Sequence, residues 1–354
     1  MKILVTGALG QIGTALAHYL GSRYGIHNVI LTDIKPHAEN PSLKDFTYHT
    51  ADVRESSTIG TIIRNYRVTT IYHLAAILSA TGENIPLKAW DINTNGLVNI
   101  LEIARETGCS VFVPSSIGSF GPSTPLQKTP QVTIQRPVTM YGITKVTGEL
   151  LCDYYYWKYG VDTRGVRFPG IISSEAPPGG GTTDYAVEIY YAALEKNSYE
   201  CFLAPHTRLD MMYMPDALKA MVSLMEAPAS NLKHRNAYNV TAMNFTPDEQ
   251  AEGIRAFLPG FTITYNIDPV KQAIADSWPD SLDDSTARSE WGWSPEFDLE
   301  SMTKDMLHTL SCKEKENGRH NERKLVKRAH SVETAGIIQR RESTYNSAER
   351  FRQN

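Results

Sequence analysis

Apolar and polar positions along the first half of the chain predict strands and helices in regular succession. Lys2–Thr6 is a short apolar run, followed by a glycine-rich turn and an amphipathic stretch over Gln11–Arg23. Strand-like runs come next at Asn28–Asp33, Phe46–Thr50 and Thr70–His73, with a helical pattern at Ser57–Tyr66 between the last two. A long helical pattern over Pro86–Thr107 leads into a strand at Val111–Pro114. A further helix over Tyr141–Tyr159 leads into one at Thr163–Arg167. Strands alternating with helices imply an α/β fold, a doubly wound parallel sheet.

After Arg167 the pattern loosens. Pro177-Pro178-Gly179-Gly180-Gly181 marks a loop, and shorter helices and strands follow as far as Leu310. The expected organisation is a first region over 1–168 and a smaller, substrate-covering region over 169–310. The polar, basic tail over 311–354 is expected to lie outside the core.

Composition narrows the class without changing this picture. The chain has 354 residues, 41% of them hydrophobic and 21% charged, as in a soluble globular protein. No apolar run approaches the ~20 residues that a membrane helix needs. No secretion leader precedes Lys2, so the cytoplasm is expected, or the mitochondrial matrix if the source is eukaryotic. Cys109, Cys152, Cys201 and Cys312 are isolated, which argues against disulfides and against a metal site. The net charge of -4 is uneven: from Lys313 onward eleven Lys/Arg face six Asp/Glu, leaving an acidic body. An acidic body disfavours nucleic acid as a partner.

The first chemical signal is Gly7-Ala8-Leu9-Gly10-Gln11-Ile12-Gly13, between the first strand and the first helix. Glycines at 7, 10 and 13 permit a tight turn, a close approach of backbone to a pyrophosphate, and close packing of helix on strand. The N–H groups of Gln11 and Ile12 at the helix start then favour phosphate. A purely structural turn would share the three glycines, but Asp33 ends the second strand twenty residues past Gly13. A carboxylate there meets the ribose 2′-OH and repels a 2′-phosphate, which makes the cofactor NAD in a Rossmann-type domain. Lys35 nearby leaves slight room for NADP.

The GxxGxxG spacing resembles the extended branch of the short-chain dehydrogenase/reductase superfamily, and further segments match that branch in order. The resemblance places Asp52-Val53 at the adenine and His73-Leu74-Ala75-Ala76 in the loop under the cofactor. It makes Asn93, in Asp91-Ile92-Asn93-Thr94-Asn95-Gly96, a support of that site and Pro169 a further cofactor contact. It makes Ser116, in Pro114-Ser115-Ser116-Ile117-Gly118, the active-site serine, and Tyr141-Gly142-Ile143-Thr144-Lys145 the YxxxK pair. Within this branch the chain is similar to the short-chain L-threonine 3-dehydrogenases. That likeness rests on Leu74–Ser79, Pro178–Ala186, Met211–Asp216 and Ser277–Asp284. It implies oxidation of the threonine β-hydroxyl to 2-amino-3-oxobutyrate with reduction of NAD.

The chemistry is consistent with those residue types. Removing an alcohol proton near neutral pH asks for a phenolate, and free tyrosine ionises near 10. Lys145 lies one helical turn from Tyr141 on the same face, where its charge favours the phenolate, and Ser116 can hold the reacting oxygen. For the ammonium and carboxylate of the substrate, resemblance and chemistry together point to Ser79, Thr182, Thr183 and the backbone at Gly181. Asp184 has two readings, a partner for the ammonium or the cap of the helix starting at Tyr185, and the cap is preferred. The glycine run before it reads as a hinge or a surface turn, and Trp278 as packing or part of a lid. Tyr154-Tyr155-Tyr156-Trp157 cannot all face one side of a helix, and the resemblance implies a homodimer through this region.

Two other functions share parts of this pattern. A nucleotide-sugar epimerase would carry an asparagine after the sixth strand, where Pro169 stands. It would also carry an arginine seven residues before Asp216, where Leu209 stands with Arg208 one place off. A catalytically silent NAD-binding regulator would lose Tyr141 or Lys145, and both are present.

Overall fold

The computed structural model describes residues 1–175 and 181–313. Met1–Met306 form one compact unit. A second unit, Leu307–Asn354, is described only over 307–313, where it is helical.

The first elements fall within one residue of the predicted bounds: β1 (Ile3–Thr6), α1 (Gln11–Tyr24), β2 (Val29–Asp33), β3 (Thr47–Thr50), α2 (Ser56–Tyr66) and β4 (Thr70–His73). Next come α3 (Ser79–Asn84), α4 (Pro86–Trp90), α5 (Gly96–Thr107), β5 (Ser110–Phe112), β6 (Ser115–Ser116) and α6 (Met140–Tyr159). β7 (Thr163–Arg164), β8 (Val166–Phe168), β9 (Gly170–Ile172), α7 (Tyr185–Lys196) and β10 (Ser198–Cys201) follow. After them come β11 (Leu209–Tyr213), α8 (Met214–Glu226), β12 (Tyr238–Asn239), β13 (Met243–Phe245) and α9 (Pro247–Arg255). β14 (Thr262–Tyr265), α10 (Pro269–Ala275) and α11 (Ser285–Trp291) follow, and the chain is helical again over 299–313.

Six parallel strands form the central sheet in the order β3-β2-β1-β4-β5-β7. β1 and β4, at its centre, are buried along their whole length, as helices on both faces require. One layer packs Leu16 and Leu20 of α1 with Leu31, Met221 and Leu224. The other packs Ile59 and Ile63 of α2 with Ile100, Leu101 and Tyr155. Each fully buried aliphatic side chain contributes about 1.5–3 kcal/mol. The strand order reverses between β1 and β4, so their carboxyl ends open the crevice where an α/β sheet binds its ligand. Smaller sheets β12-β8-β6, β13-β11-β9 and β10-β14 complete the unit. Among the described residues no helix is long and apolar enough to cross a membrane, and all four cysteines are free.

Three local expectations change. The predicted helix over Pro86–Thr107 contains a π-helical turn at Asp91–Asn95, whose extra residue turns Asn93 and Thr94 inward. The predicted strand Thr163–Arg167 breaks at Gly165, where a Cβ would lie 2.3 Å from the Val113 carbonyl oxygen. β7 therefore pairs with β5, whereas β8 leaves the central sheet to pair with β6. The predicted strand Val111–Pro114 stops at Phe112, since Pro114 offers no N–H to a ladder.

Candidate active site

The turn after β1 is built by close approaches that only glycine allows. Gly7 has φ +68°, and a Cβ there would sit 2.7 Å from the Ala75 nitrogen. At Gly13 a Cβ would lie 2.3 Å from the Gly7 carbonyl oxygen, so α1 starts directly against the turn. Gly10 N–H closes the turn on the Gly7 carbonyl at 3.1 Å. Gly7, Gly10, Gln11, Ile12 and Gly13 line an open cleft, into which the start of α1 projects. Residues and shape fit a dinucleotide pyrophosphate at a helix N-terminus.

Asp33 lies at the carboxyl end of β2, beside this turn. Its two carboxylate oxygens accept the Leu9 N–H at 3.0 Å and the Lys35 N–H at 3.1 Å, which fixes the plane of the group. Asp52 is placed differently. Arg54 binds both its oxygens, at 2.6 Å for the closest contact, and reaches Asp91 at 3.0 Å. That guanidinium is the main reason the Asp52 carboxyl is held below its ordinary range. Val53 is buried and packs close to Gly96. Neither Asp52 nor Val53 lines the cleft, and Asp33 and Ala75 also stay off its wall.

The loop after β4 contributes Leu74, Ala76, Leu78 and Ser79 to the cleft. Asn93 lies beneath it. Its side-chain oxygen accepts the Ile77 N–H at 2.7 Å, and its amide donates to the Ile77 carbonyl at 3.0 Å and to Thr144 Oγ1 at 3.1 Å. The π turn thus couples the loop after β4 to the helix carrying Tyr141. His73 pairs with Thr6 Oγ1 at 2.9 Å, and burial together with the nearby Lys145 charge lowers it to about 3, so its imidazole is neutral.

Ser116, Tyr141 and Lys145 share one wall of the cleft. Thr139 caps α6 by accepting the Gly142 N–H at 3.1 Å, which places Tyr141 in the first turn and Lys145 one turn on. The tyrosine ring lies against Gly118, where a Cβ would be 3.1 Å from Cδ1 and Cε1. Lys145 Nζ donates to the Pro114 carbonyl at 2.8 Å and lies 5.4 Å from the Tyr141 ring centre. Ser116 Oγ accepts the Gly118 N–H at 3.1 Å, which leaves its own proton to donate.

The far part of the cleft is lined by Pro169, Gly181, Thr182, Thr183, Asp184 and Trp278. Thr182 is fully buried, and its hydroxyl has no hydrogen-bond partner among the described residues. Asp184 departs from the preferred cap reading. It stands at the N-cap of α7 but in helical backbone (φ -63°), so its side chain does not reach the first-turn amides. The carboxylate turns back to accept the Gly181 N–H at 2.7 Å. Trp278 is buried and forms part of the wall. The expected hinge, apart from Gly181, and the tail beyond residue 313 lie outside the described residues.

A buried polar cluster behind Ser116 escaped sequence reasoning. Glu149, two turns past Tyr141, accepts the Ser115 hydroxyl, the Gln135 amide at 2.9 Å and both arms of Arg167 at 3.0 and 2.8 Å. It locks β6 and β8 to α6, and its one visible signal is an acid on the inner face of a helix.

Comparison with known proteins bears on this geometry. Residues 3–241 match the model of the NAD dependent epimerase/dehydratase family. An uncharacterized epimerase/dehydratase of Staphylococcus saprophyticus is 52% identical over 314 residues, which is 89% of this chain and 98% of that protein. Among solved structures, the L-threonine dehydrogenase of Clostridium difficile superposes with a TM-score of 0.87 at 55% identity, covering 88% of this chain and 98% of that one. The holo form of a GalE-like L-threonine dehydrogenase from Cupriavidus necator gives 0.85 at 49% identity, covering 88% and 100%.

Proposed function

Within the NAD dependent epimerase/dehydratase family, to which this chain belongs, we propose that it oxidises L-threonine to L-2-amino-3-oxobutyrate with Tyr141 as base. The observation that carries this reading is a single cleft holding two sets of groups. It combines the Ser116, Tyr141 and Lys145 wall with Ser79, Thr182, Thr183 and Asp184, a hydroxyl-rich set with one carboxylate. Such a set suits the carboxylate and ammonium of a small zwitterion. The likeness to threonine dehydrogenases at 49–55% identity supports the same substrate.

The steps follow from the groups present. Thr182 donates to the substrate carboxylate, and Asp184 faces the ammonium. Ser116 donates its proton to the reacting oxygen and holds it against Tyr141. The Tyr141 phenolate takes the hydroxyl proton as the C–H bond breaks, and the Lys145 ammonium stabilises that phenolate beforehand. NAD, when bound along the Gly7–Gly13 turn with Asp33 at its ribose, supplies the hydride acceptor. Wall residues such as Ile117, Phe168 and Trp278 exclude water, which strengthens these interactions.

A nucleotide-sugar epimerase is the second reading, and the position of Arg208 disfavours it. Arg208 is committed to Glu249 at 2.5 Å and to Asn244, and it lies off the cleft wall that a sugar diphosphate would occupy.

The homodimer belongs to this proposal as well. Ile143, Leu150, Tyr154 and Trp157 form an exposed stripe at helical spacing along α6, and Leu87 and Trp90 of α4 are exposed too. An uncovered apolar stripe of this length marks an association face. Formation of NADH from NAD and L-threonine, with UDP-galactose left unchanged, is the test of the activity.

A further inference from the structure

We propose that Glu83 is a positioning residue, bracketing the substrate-binding turn at Ser79 to the helix that carries Tyr141. This rests on the threonine-oxidation reading above. α3 is only six residues long, contains a glycine and an asparagine, and has no amphipathic pattern, so its position must come from tertiary contacts. Hydrogen bonds at both of its ends lead to α6. Before its first residue, Ile77 is held by Asn93, and Asn93 bonds Thr144. Near its last, Glu83 Oε1 accepts the Met140 N–H at 2.7 Å.

Met140 is the first residue of α6, immediately before Tyr141. Its N–H has no acceptor inside the helix, and Thr139 is already engaged with Gly142 and Ile143. A carboxylate at this end also suits the helix dipole. Between the two anchors, Ser79 is buried against the cleft, and at Gly82 a Cβ would lie 4.0 Å from the Tyr141 Cβ. Ser79 and Glu83 are four residues apart, on one face of α3. Losing Glu83 leaves the Ile77 anchor as a pivot, so Ser79 moves relative to Tyr141 while the cofactor loop stays in place.

The test compares Glu83→Ala with Glu83→Gln, whose amide oxygen accepts the same hydrogen bond. Glu83→Ala should raise KM for L-threonine about tenfold, the scale of one charge-assisted hydrogen bond, with NADH affinity within about twofold of wild type. Glu83→Gln should restore KM to within about threefold. Equal losses for threonine and NADH, no loss for either, or a Gln variant as impaired as Ala would each overturn the proposal. Amide exchange in the NADH-bound protein supplies a readout that needs no substrate. Residues 79–84 and Met140 should exchange faster in Glu83→Ala and at the wild-type rate in Glu83→Gln. A wild-type protein inert toward L-threonine would sink the substrate reading, and unchanged exchange in Glu83→Ala would sink the bracket.

Discussion

Lys145 donates its ammonium to the carbonyl of Pro114, 2.8 Å away, at the point where the chain leaves β5 for β6. Proline ends the ladder because it has no N–H, and its carbonyl is then available to hold the lysine beneath Tyr141. A break in the sheet thus positions a charge.

That pairing predicts a division of labour. Lys145→Met should lower kcat by about 10²- to 10⁴-fold, and Tyr141→Phe should abolish turnover while NADH binding persists. Steady-state rates and NADH fluorescence titration check both. A Tyr141→Phe variant with near wild-type activity would assign the base elsewhere.

Asp33 accepts two backbone N–H bonds at the end of β2, which fixes its carboxylate beside the glycine turn. Asp33→Ala should weaken NAD binding about tenfold and narrow the preference for NAD over NADP. Calorimetric titration with both cofactors measures this. An unchanged NAD affinity would remove Asp33 from the site.

Asp210 predicts a pH dependence of stability. It is fully buried, accepting Thr241 Oγ1 at 2.5 Å and the Leu282 N–H at 2.9 Å, and burial raises it to about 8. The folded protein keeps this proton up to about pH 8, whereas the unfolded chain releases it near 4. The stability that this group contributes is therefore fully present below pH 4 and is lost as pH rises toward 8. Asp210→Asn should flatten that fall by a few kcal/mol, as shown by urea midpoints at pH 5 and pH 8. Parallel slopes in the two proteins would contradict this.

The α6 stripe predicts self-association. Leu150→Glu or Trp157→Glu should halve the mass seen by light scattering, with the melting point of the isolated fold little changed. A wild-type protein that is monomeric at micromolar concentration would refute the dimer.

Much of the cofactor half was legible in the sequence because its signals are short-range. The Gly7–Gly13 spacing and the interval to Asp33 are set by local turn geometry, and the β4 and α1 bounds follow from periodicity. Features missed or misread depend on partners distant in sequence. The π turn at Asp91–Asn95 inserts one residue into an otherwise helical pattern, and only the Ile77 backbone explains it. Gly165, visible inside a strand-like run, carried its signal openly, but the carbonyl of Val113 that demands it lies 52 residues earlier. α3 has no periodicity to read, and Asp184 looked like a cap because the residue type and position are right. Its helical backbone turns the carboxylate to Gly181 instead.

Threonine oxidation by this protein is tested by incubating it, purified, with NAD and L-threonine and following absorbance at the NADH band. The expected result is NADH formation that depends on L-threonine, fails with Tyr141→Phe, and is accompanied by no conversion of UDP-galactose. Absence of NADH formation with L-threonine, or epimerisation of the nucleotide sugar, would contradict it.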